Sequence, residues 1–489
     1  PPDTEALKPG AIPRQRLAYD ELLANQLAIA LLRIHMRHTT GRSISGENYL
    51  RKKLVSELPF SLTNSQNQAL SEIVLNMEAK TRMVRLLHGD VGSGKTIVAF
   101  LAMLNAVESG EQAALMAPTE ILARQHLTTI EPWTKSLGIS CAALTRRTKG
   151  KVRDKLLLDL SNGKIDILVG THAMFQDDVA FASLALTVID EQHKFGVHQR
   201  LNLQAKGRGV DLLVMTATPI PRTLMMTSYG DMDVSRLTEK PSGRQIVNTA
   251  AVPIERFDDV IHSIKRAIQG GGQIYWVCPL VDESRLVDLA AAEERYLSLR
   301  KLFGERVGLV HGRLNEMERD ARMSEFLSGK LDILVATTVI EVGVDVPNAT
   351  IIVIEQAERF GLAQLHQLRG RVGRSNKPSS CLLLYDPPLT KTARARLSIL
   401  RKTDDGFQIA EEDLRLRGAG ELLGTRQSGL PDFRLAELPT HEELLAAAQD
   451  DAKLILSQDA TLENERGKAL RILLYLFERD AAINLLRSG

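Results

Sequence analysis

The sequence predicts two α/β domains in tandem, each with a parallel sheet, followed by a helical C-terminal module. Short apolar runs end in polar clusters and are followed by helical stretches, an alternation typical of parallel α/β sheets. The chain has 489 residues, enough for roughly three domains. With 44% apolar and 25% charged residues, its composition disfavours disorder, collagen-like repeats and membrane spans.

Charge and cysteine content exclude further classes of protein. The formal net charge is +2, so any contact with nucleic acid must come from local basic patches. Cys141, Cys278 and Cys381 lie far apart, which leaves no C-x-x-C metal pair and no disulfide framework and favours a reducing compartment. We expect no secretory signal and no membrane helix.

The chain divides into four predicted regions. Residues 1–57 are expected to form a long helix and a linker, because apolar residues recur at helical spacing up to His38 and glycines follow. We place the first α/β domain at 58–240, the second at 241–388 and the helical module at 389–489, with a turn-rich stretch between the two α/β domains.

Nine strands are predicted in the two α/β domains. Those of the first domain are at 83–90, 113–119, 165–172, 186–193 and 211–219, and those of the second are at 272–279, 306–313, 331–338 and 349–355. The runs IDILVGTH and LDILVATT echo each other, and a glycine-containing turn that ends in lysine precedes each. This similarity favours an internal duplication, although short strands also converge on similar sequences.

The segment GDVGSGKT matches the phosphate-binding pattern G-x-x-x-x-G-K-[ST], called the P-loop, between an apolar strand and a helix. Gly89, Gly92 and Gly94 permit backbone N–H groups to point at phosphate oxygens. Lys95 is expected to reach the β and γ phosphates of ATP, and the Thr96 hydroxyl to complete the Mg²⁺ shell. The alternative is a chance glycine-rich turn.

A second predicted strand, LTVID, ends in two carboxylates. Asp190 is expected to hold Mg²⁺, and Glu191 to orient and deprotonate the attacking water. A solvated acidic turn is the alternative for these two residues when they are considered without the P-loop.

The segment QLRGRVGR supplies two arginines from the second domain. Arg371 and Arg374 are three residues apart and are predicted on one helix face, where they can act as arginine fingers across the interdomain cleft. A solvated basic face is the alternative. The basic stretch 146–151 is interpreted as a solvated loop, with a DNA contact as its alternative.

These elements occur in the order typical of superfamily 2 helicases, which the sequence resembles over nearly its whole length. The resemblance implies two RecA-like domains that face each other across an ATP cleft. It identifies Gln66, after Phe60, as an adenine-reading glutamine. The positions that it implies for DNA contact are Pro118, Thr119, Gly170, Thr171 and His172 in the first domain and Thr337 in the second.

Three phrases, DEQHKFGVHQR, MTATPIPRTL and LRLRGAGELLGTRQSG, resemble the RecG family of branch-migrating bacterial DNA helicases. The last phrase implies a helical hairpin and loop for translocation on duplex DNA, with Arg396, Arg417 and Gln427 as functional positions. The implied cofactors are ATP and Mg²⁺. The implied partners are branched or double-stranded DNA and single-strand-binding protein, without a membrane or an implied oligomer, in the bacterial cytoplasm at the nucleoid.

The RecG family also carries an N-terminal wedge domain with an oligonucleotide-binding fold. No run of short strands precedes Gly89, and the chain does not begin with Met, so we expect that wedge and the native start to be missing from these residues. A transcription-repair coupling translocase is the alternative within the same subgroup. A nucleotide-dependent binding switch without motor activity is the alternative from another class, which an intact Glu191 and Arg374 disfavour.

Overall fold

The computed structural model describes residues 8–38, 41–190, 209–218, 220–221, 225, 232–241, 246–279, 285–337, 346–373, 377–422, 433–438 and 440–479. Within these residues, two parallel β-sheets of seven and six strands are covered by helices and accompanied by a helical C-terminal region. This arrangement confirms the predicted fold class. No helix in this part of the chain is long and apolar enough to cross a bilayer.

The first sheet has the strand order β3-β4-β2-β5-β6-β1-β7, with every pair parallel. Its strands are β1 (Val84–Gly89), β2 (Gln112–Met116), β3 (Cys141–Leu144), β4 (Ile167–Gly170), β5 (Leu184–Asp190), β6 (Asp211–Thr216) and β7 (Asp233–Leu237). The five predicted strands are the inner ones, whose residues are almost all buried. Edge strands β3 and β7 are half-buried and lack the continuous apolar run that signals a central strand.

Helices pack on both sides of this sheet. They are α2 (Tyr49–Glu57), α3 (Asn64–Glu78), α4 (Lys95–Glu108), α5 (Glu120–Leu137) and α6 (Gly150–Ser161). Residues 97–106 of α4 are buried, which makes this helix the centre of the domain core. Ile44 and Leu54 belong to the same core, so the segment before residue 58 packs as part of the first domain and is not only a linker.

The second sheet has the order β10-β11-β9-β12-β13-β8, and its pairs are also parallel. Its strands are β8 (Asn248–Pro253), β9 (Gln273–Val277), β10 (Val307–Val310), β11 (Ile333–Ala336), β12 (Ala349–Ile354) and β13 (Ser380–Tyr385). The described helices of this domain are α7 (Phe257–Gln269), α8 (Arg285–Phe303), α9 (Glu316–Leu327) and α10 (Leu362–Arg369). Strands β8 and β13 are additions to the four predicted ones.

The C-terminal region divides into two packing groups. Helices α11 (Lys391–Lys402) and α12 (Gly406–Leu422) pack on the second domain, whose core includes Leu397 and Ile409. Helices α13 (Glu442–Gln458) and α14 (Glu465–Leu476) instead share a core with the N-terminal helix α1 (Ile12–His38). The Glu21 carboxylate of α1 accepts the backbone N–H groups of residues 434–436 at 2.6–2.8 Å, which ties the two ends of the described chain together.

Candidate nucleotide-binding and catalytic site

The loop between β1 and α4 forms an anion cradle at the carboxyl edge of the first sheet. Gly92 and Gly94 have φ values of 73° and 85°, a left-handed conformation that glycine adopts without strain. Lys95 is the first residue of α4, and its ammonium group donates to the carbonyl oxygens of Gly89 and Asp90 at 2.8 and 2.9 Å. The start of this 14-residue helix adds backbone N–H groups and the positive end of its dipole. This geometry fits a polyphosphate.

Gln66 lies beneath this cradle and joins it to α3. Its side-chain oxygen accepts from the backbone N–H of Thr63 at 2.9 Å, completing the cap of α3, and its Nε2 donates to the Ser93 carbonyl at 2.8 Å. A methyl group on Gly94 would lie 2.2 Å from this Nε2, so the close packing also requires glycine at this position. A contact between Gln66 and adenine stays a prediction.

Asp190, at the end of β5, and Thr96, in the first turn of α4, are the two residues predicted to hold Mg²⁺, and both carry the side-chain oxygens that this ion prefers. Strand β6 separates β5 from β1, which places the ends of the two strands roughly 10 Å apart. Asp190 Oδ2 lies 2.7 Å from His126 Nε2 on α5. Glu191 lies outside the described residues.

His126 is a site residue that sequence reasoning missed. The usable signal is topological: α5 follows β2, and β2 pairs with β5, so side chains near the start of α5 lie close to the end of β5. Another histidine, His88 in β1, is buried beside the cradle. Burial, with a smaller effect of the Lys95 ammonium, lowers the pKa of His88 to about 4 and keeps its imidazole neutral at pH 7.

Helix α10 of the second domain lies against the cradle. His366 Nε2 is 2.7 Å from Asp90 Oδ1, and Gln367 Nε2 donates to Thr218 Oγ1 at 2.7 Å. A methyl group on Gly370 would lie only 3.0 Å from Cβ of Val91 in the P-loop. The described part of the segment QLRGRVGR is therefore in direct contact with the phosphate cradle at Gly370.

Arg371 follows that contact and is buried, with 5% of its surface exposed. The prediction that Arg371 and Arg374 share one helix face is wrong for Arg371, because α10 ends at Arg369 and Gly370 caps it. Gly373 then takes a φ of 76°, which a continuing helix does not allow. Arg374 lies outside the described residues.

The residues expected to contact DNA from the first domain come from the ends of two paired strands, β2 and β4. Pro118 and Thr119 precede α5, and the Thr119 hydroxyl caps this helix by accepting from the Leu122 N–H at 3.4 Å. Gly170 ends β4, and a methyl group there would lie 2.4 Å from the Leu144 carbonyl oxygen.

The threonine and histidine positions next to these strands differ in exposure. His172 is exposed, whereas Thr171 is buried. Thr337, at the end of β11, is buried as well. Within the described part of the chain, neither threonine hydroxyl has a hydrogen-bond partner. In this arrangement both hydroxyls face the protein interior.

The three positions expected in the translocation module are less fully placed. Arg396 is half-buried on α11. Arg417 lies in α12, and its side chain is outside the described part, as is the whole of Gln427. Their roles stay predictions.

Arg147 lies in the exposed turn that begins the basic stretch 146–151. Its guanidinium lies 3.1 Å from Glu120 at the start of α5 and 2.5 Å from Asp320 of α9 in the second domain. The Arg147 side chain is 42% exposed, so it lies in a solvated loop as interpreted and also forms an ion pair between the domains.

Comparison with known families and proteins agrees with this geometry. The family model for DEAD/DEAH box helicases matches residues 63–227, and the model for the helicase conserved C-terminal domain matches 255–376. A model described as "ATP-dependent DNA helicase RecG, domain 3, C-terminal" matches residues 403–474.

Curated proteins named ATP-dependent DNA helicase RecG align with most of this chain. The protein from Pasteurella multocida (strain Pm70) is 48% identical over 93% of this chain and 67% of its own length, and that from Escherichia coli (strain K12) is 49% identical over 92% and 66%. The chain thus spans about two thirds of these relatives. A solved structure of RecG bound to a three-way DNA junction superposes with a TM-score of 0.75 at 44% identity, covering 88% of this chain and 57% of that one.

Proposed function

Because this chain belongs to the RecG family of ATP-dependent DNA helicases, we propose that it uses ATP hydrolysis to move along double-stranded DNA. Through that movement it remodels branched DNA, such as replication forks and Holliday junctions, in recombination and repair. The RecG structure with a three-way junction supports branched DNA as the substrate class. A single-strand-binding protein partner and a nucleoid location stay predictions of the sequence resemblance.

One observation carries this proposal: the phosphate cradle of the first domain touches the arginine-containing segment of the second. The contacts run from Asp90 to His366 and from Thr218 to Gln367, across separate domains. A site assembled from two domains is complete only while the cleft between them is closed. ATP hydrolysis therefore requires domain closure, which couples hydrolysis to domain movement. A binding switch has no need of such an arrangement.

Each residue then has a defined task. Lys95 and the start of α4 hold the phosphates, while Asp190 and Thr96 hold Mg²⁺, which when bound neutralises charge on the phosphate oxygens. His126 orients the Asp190 carboxylate through their 2.7 Å contact. Glu191 positions and deprotonates the water, and Arg371 with Arg374 stabilises the charge that develops on the transferred phosphoryl group.

The proposal is tested by ATP turnover with no DNA, with linear duplex and with a three-way junction. We expect duplex to stimulate turnover and the junction to stimulate it more. Translocation is measured in parallel by displacement of a triplex-forming strand from duplex DNA, an assay that needs no strand separation. DNA-stimulated hydrolysis without displacement would leave the binding switch as the better description.

Motor output is further separated from ATP use at the loop that contains Gln427. Gln427→Ala is expected to retain most of the DNA-stimulated turnover and to lose triplex displacement, because this loop lies outside both ATP-binding domains in sequence and its flanking glycines permit movement. Gln68→Ala, at an exposed glutamine of α3, is the matched control and should change neither activity. If Gln427→Ala displaces as much triplex-forming strand per ATP consumed as the parental chain does, this segment is an ordinary surface loop.

A further inference from the structure

A cavity of about 240 Å³ opens beside the phosphate cradle. Asp90 and Ser93 of the P-loop form one wall, and residues 237–240, which begin at the last residue of β7, form the second. The third wall is the 404–407 segment of the C-terminal region, at the start of α12. Pockets that enclose a whole small molecule usually measure about 300–1,000 Å³, and the volume here is slightly smaller, as expected if only the base and ribose of a nucleotide enter and the phosphates stay outside, on the cradle.

The lining suits a nucleoside better than a phosphate. Its carboxylates outnumber its single lysine, Lys240, so the cavity disfavours an anion; they are those of Asp90, Glu239, Asp404 and Asp405. Carboxylates accept hydrogen bonds from ribose hydroxyl and base amino groups. Phe407 adds an aromatic ring, which already packs edge-on against the His88 imidazole with ring centres 4.7 Å apart.

A buried arginine holds the third wall against the P-loop. Arg369 donates to the carbonyl oxygens of Leu400 and Thr403 at 2.7 and 2.9 Å and pairs with Asp404 at 3.3 Å. The same guanidinium contacts Nδ1 of His366, whose Nε2 meets Asp90 of the P-loop. Lys240 of the first domain lies 3.4 Å from Asp404 on the other side of the segment. The position of the segment is thus set by both domains.

We propose that the 404–407 segment is part of the nucleotide-binding site, with Phe407 packing against the base and the neighbouring carboxylates binding ribose or base donors. The inference rests on the proposed function, because it takes a nucleoside triphosphate as the ligand of the P-loop. It adds a region outside both RecA-like domains to the site. Because α12 begins at Gly406 and leads toward the predicted translocation loop, nucleotide binding is sensed at the first turn of that helix.

The test compares two ligands that share phosphates but not a nucleoside. Binding of a non-hydrolysable ATP analogue and of inorganic tripolyphosphate, both with Mg²⁺, is measured by calorimetry for the parental chain and for Phe407→Ala. We expect the analogue to bind about 5- to 10-fold more weakly to the variant, the range that a lost aromatic contact implies. Tripolyphosphate affinity should not change, because it uses only the cradle.

Control variants keep the outcome interpretable. Phe407→Tyr retains the ring and should retain the analogue affinity, and Phe303→Ala, at a half-buried phenylalanine of the second domain, should leave both affinities unchanged. If circular dichroism shows that Phe407→Ala is unfolded, Phe407→Leu is measured with the same expectation.

Two results would overturn the inference alone: unchanged analogue affinity in the Phe407 variant, or an equal loss for both ligands. A parental chain that binds neither ligand would overturn the proposed function as well, so the two failures are distinguishable.

Discussion

The two RecA-like domains share one strand order but differ in the loop that follows their first strand. When β1 is matched with β8, the order β3-β4-β2-β5-β6-β1 in the first sheet corresponds strand by strand to β10-β11-β9-β12-β13-β8 in the second, and only β7 has no counterpart. After β1 the chain forms the glycine-rich cradle, whereas after β8 it passes through a short 3₁₀ turn into α7.

A shared buried glutamine supports a common origin for the two sheets. Gln112 begins β2, and its amide nitrogen donates to the carbonyl oxygens of Leu160 and Ile165. Gln273 begins β9, the matching strand, and its amide nitrogen donates to the carbonyl oxygens of Phe326 and Leu331. Each side chain thus closes the same helix-to-strand turn, which strengthens the duplication that the sequence echo suggested.

The two domains therefore differ in their loops and not in the order of their shared strands. One copy of the fold has the glycine-rich loop with Lys95, which we propose to bind phosphates, and the other copy places His366 of α10 against Asp90 of that loop. Variants at matched positions of the two domains can therefore test which features are shared and which are specialised.

The largest effect is expected from Lys95→Ala. Loss of the ammonium should reduce ATP turnover by more than about 10³-fold, because the phosphate charge is left uncompensated. Arg256, the residue before α7, is the basic side chain at the corresponding helix start of the second domain, so Arg256→Ala should leave turnover unchanged. Steady-state ATPase activity is the measurement, with circular dichroism as the folding control. Near-parental turnover of Lys95→Ala would show that the phosphate cradle is not part of the catalytic site.

A somewhat smaller loss is expected from the arginines of the second domain. Arg371→Ala and Arg374→Ala should each reduce turnover roughly 10³-fold, at the lower end for an arginine finger, while the nucleotide Kd changes much less. Arg394→Ala, at an exposed arginine of α11, is the matched control. Unchanged turnover in both variants would show that these arginines are not catalytic and belong to the structure or to a solvated basic face.

Stability should respond at the paired glutamines. Gln112→Ala and Gln273→Ala are each expected to lower the free energy of unfolding of their own domain by about 1–3 kcal/mol, because buried carbonyl oxygens lose their donor. The loss should be larger at Gln112, whose side-chain oxygen also accepts from the Ser183 N–H at 2.9 Å.

The two tryptophans of the chain make the domains separately visible in that experiment. Trp133 lies in the first domain and Trp276 in the second, so urea unfolding followed by fluorescence in Trp276→Phe or Trp133→Phe backgrounds reports one domain each. If Gln112→Ala changed the Trp276 transition and left the Trp133 transition unchanged, the conclusion that Gln112 stabilises the first domain would be contradicted.

The smallest expected effect is a pH dependence confined to the first domain. Burial raises the pKa of Asp211, the first residue of β6, to about 8, and its Oδ1 accepts the Met83 N–H at 2.7 Å. Because the folded pKa exceeds the unfolded one, the stability contribution of this group is complete below about pH 4 and is lost as the pH rises through 8. The matching strand β13 begins with Ser380, which does not titrate in this range.

The Trp133 unfolding transition should therefore weaken between pH 6 and pH 8 by up to about 1.4 kcal/mol per pH unit, whereas the Trp276 transition should not. Asp211→Asn should flatten this dependence. If the parental slope persists in Asp211→Asn, another group is responsible.

Local sequence was sufficient for the inner strands of the first sheet and for the phosphate cradle. Continuous apolar runs identify buried parallel strands, and GDVGSGKT combines its glycines, its lysine and the following helix within eight consecutive residues. Such features are set by the backbone preferences and periodicity of neighbouring residues, which a single sequence displays directly.

Tertiary packing alone decided the contacts between distant segments. His366 and Asp90 are 276 residues apart, and the cavity joins the P-loop to residues 404–407. No local pattern distinguishes these side chains from surface residues, because their meeting depends on how two domains and α12 pack together. The same reason explains why the ion pair between Arg147 and Asp320 was not predicted and why His126 was missed.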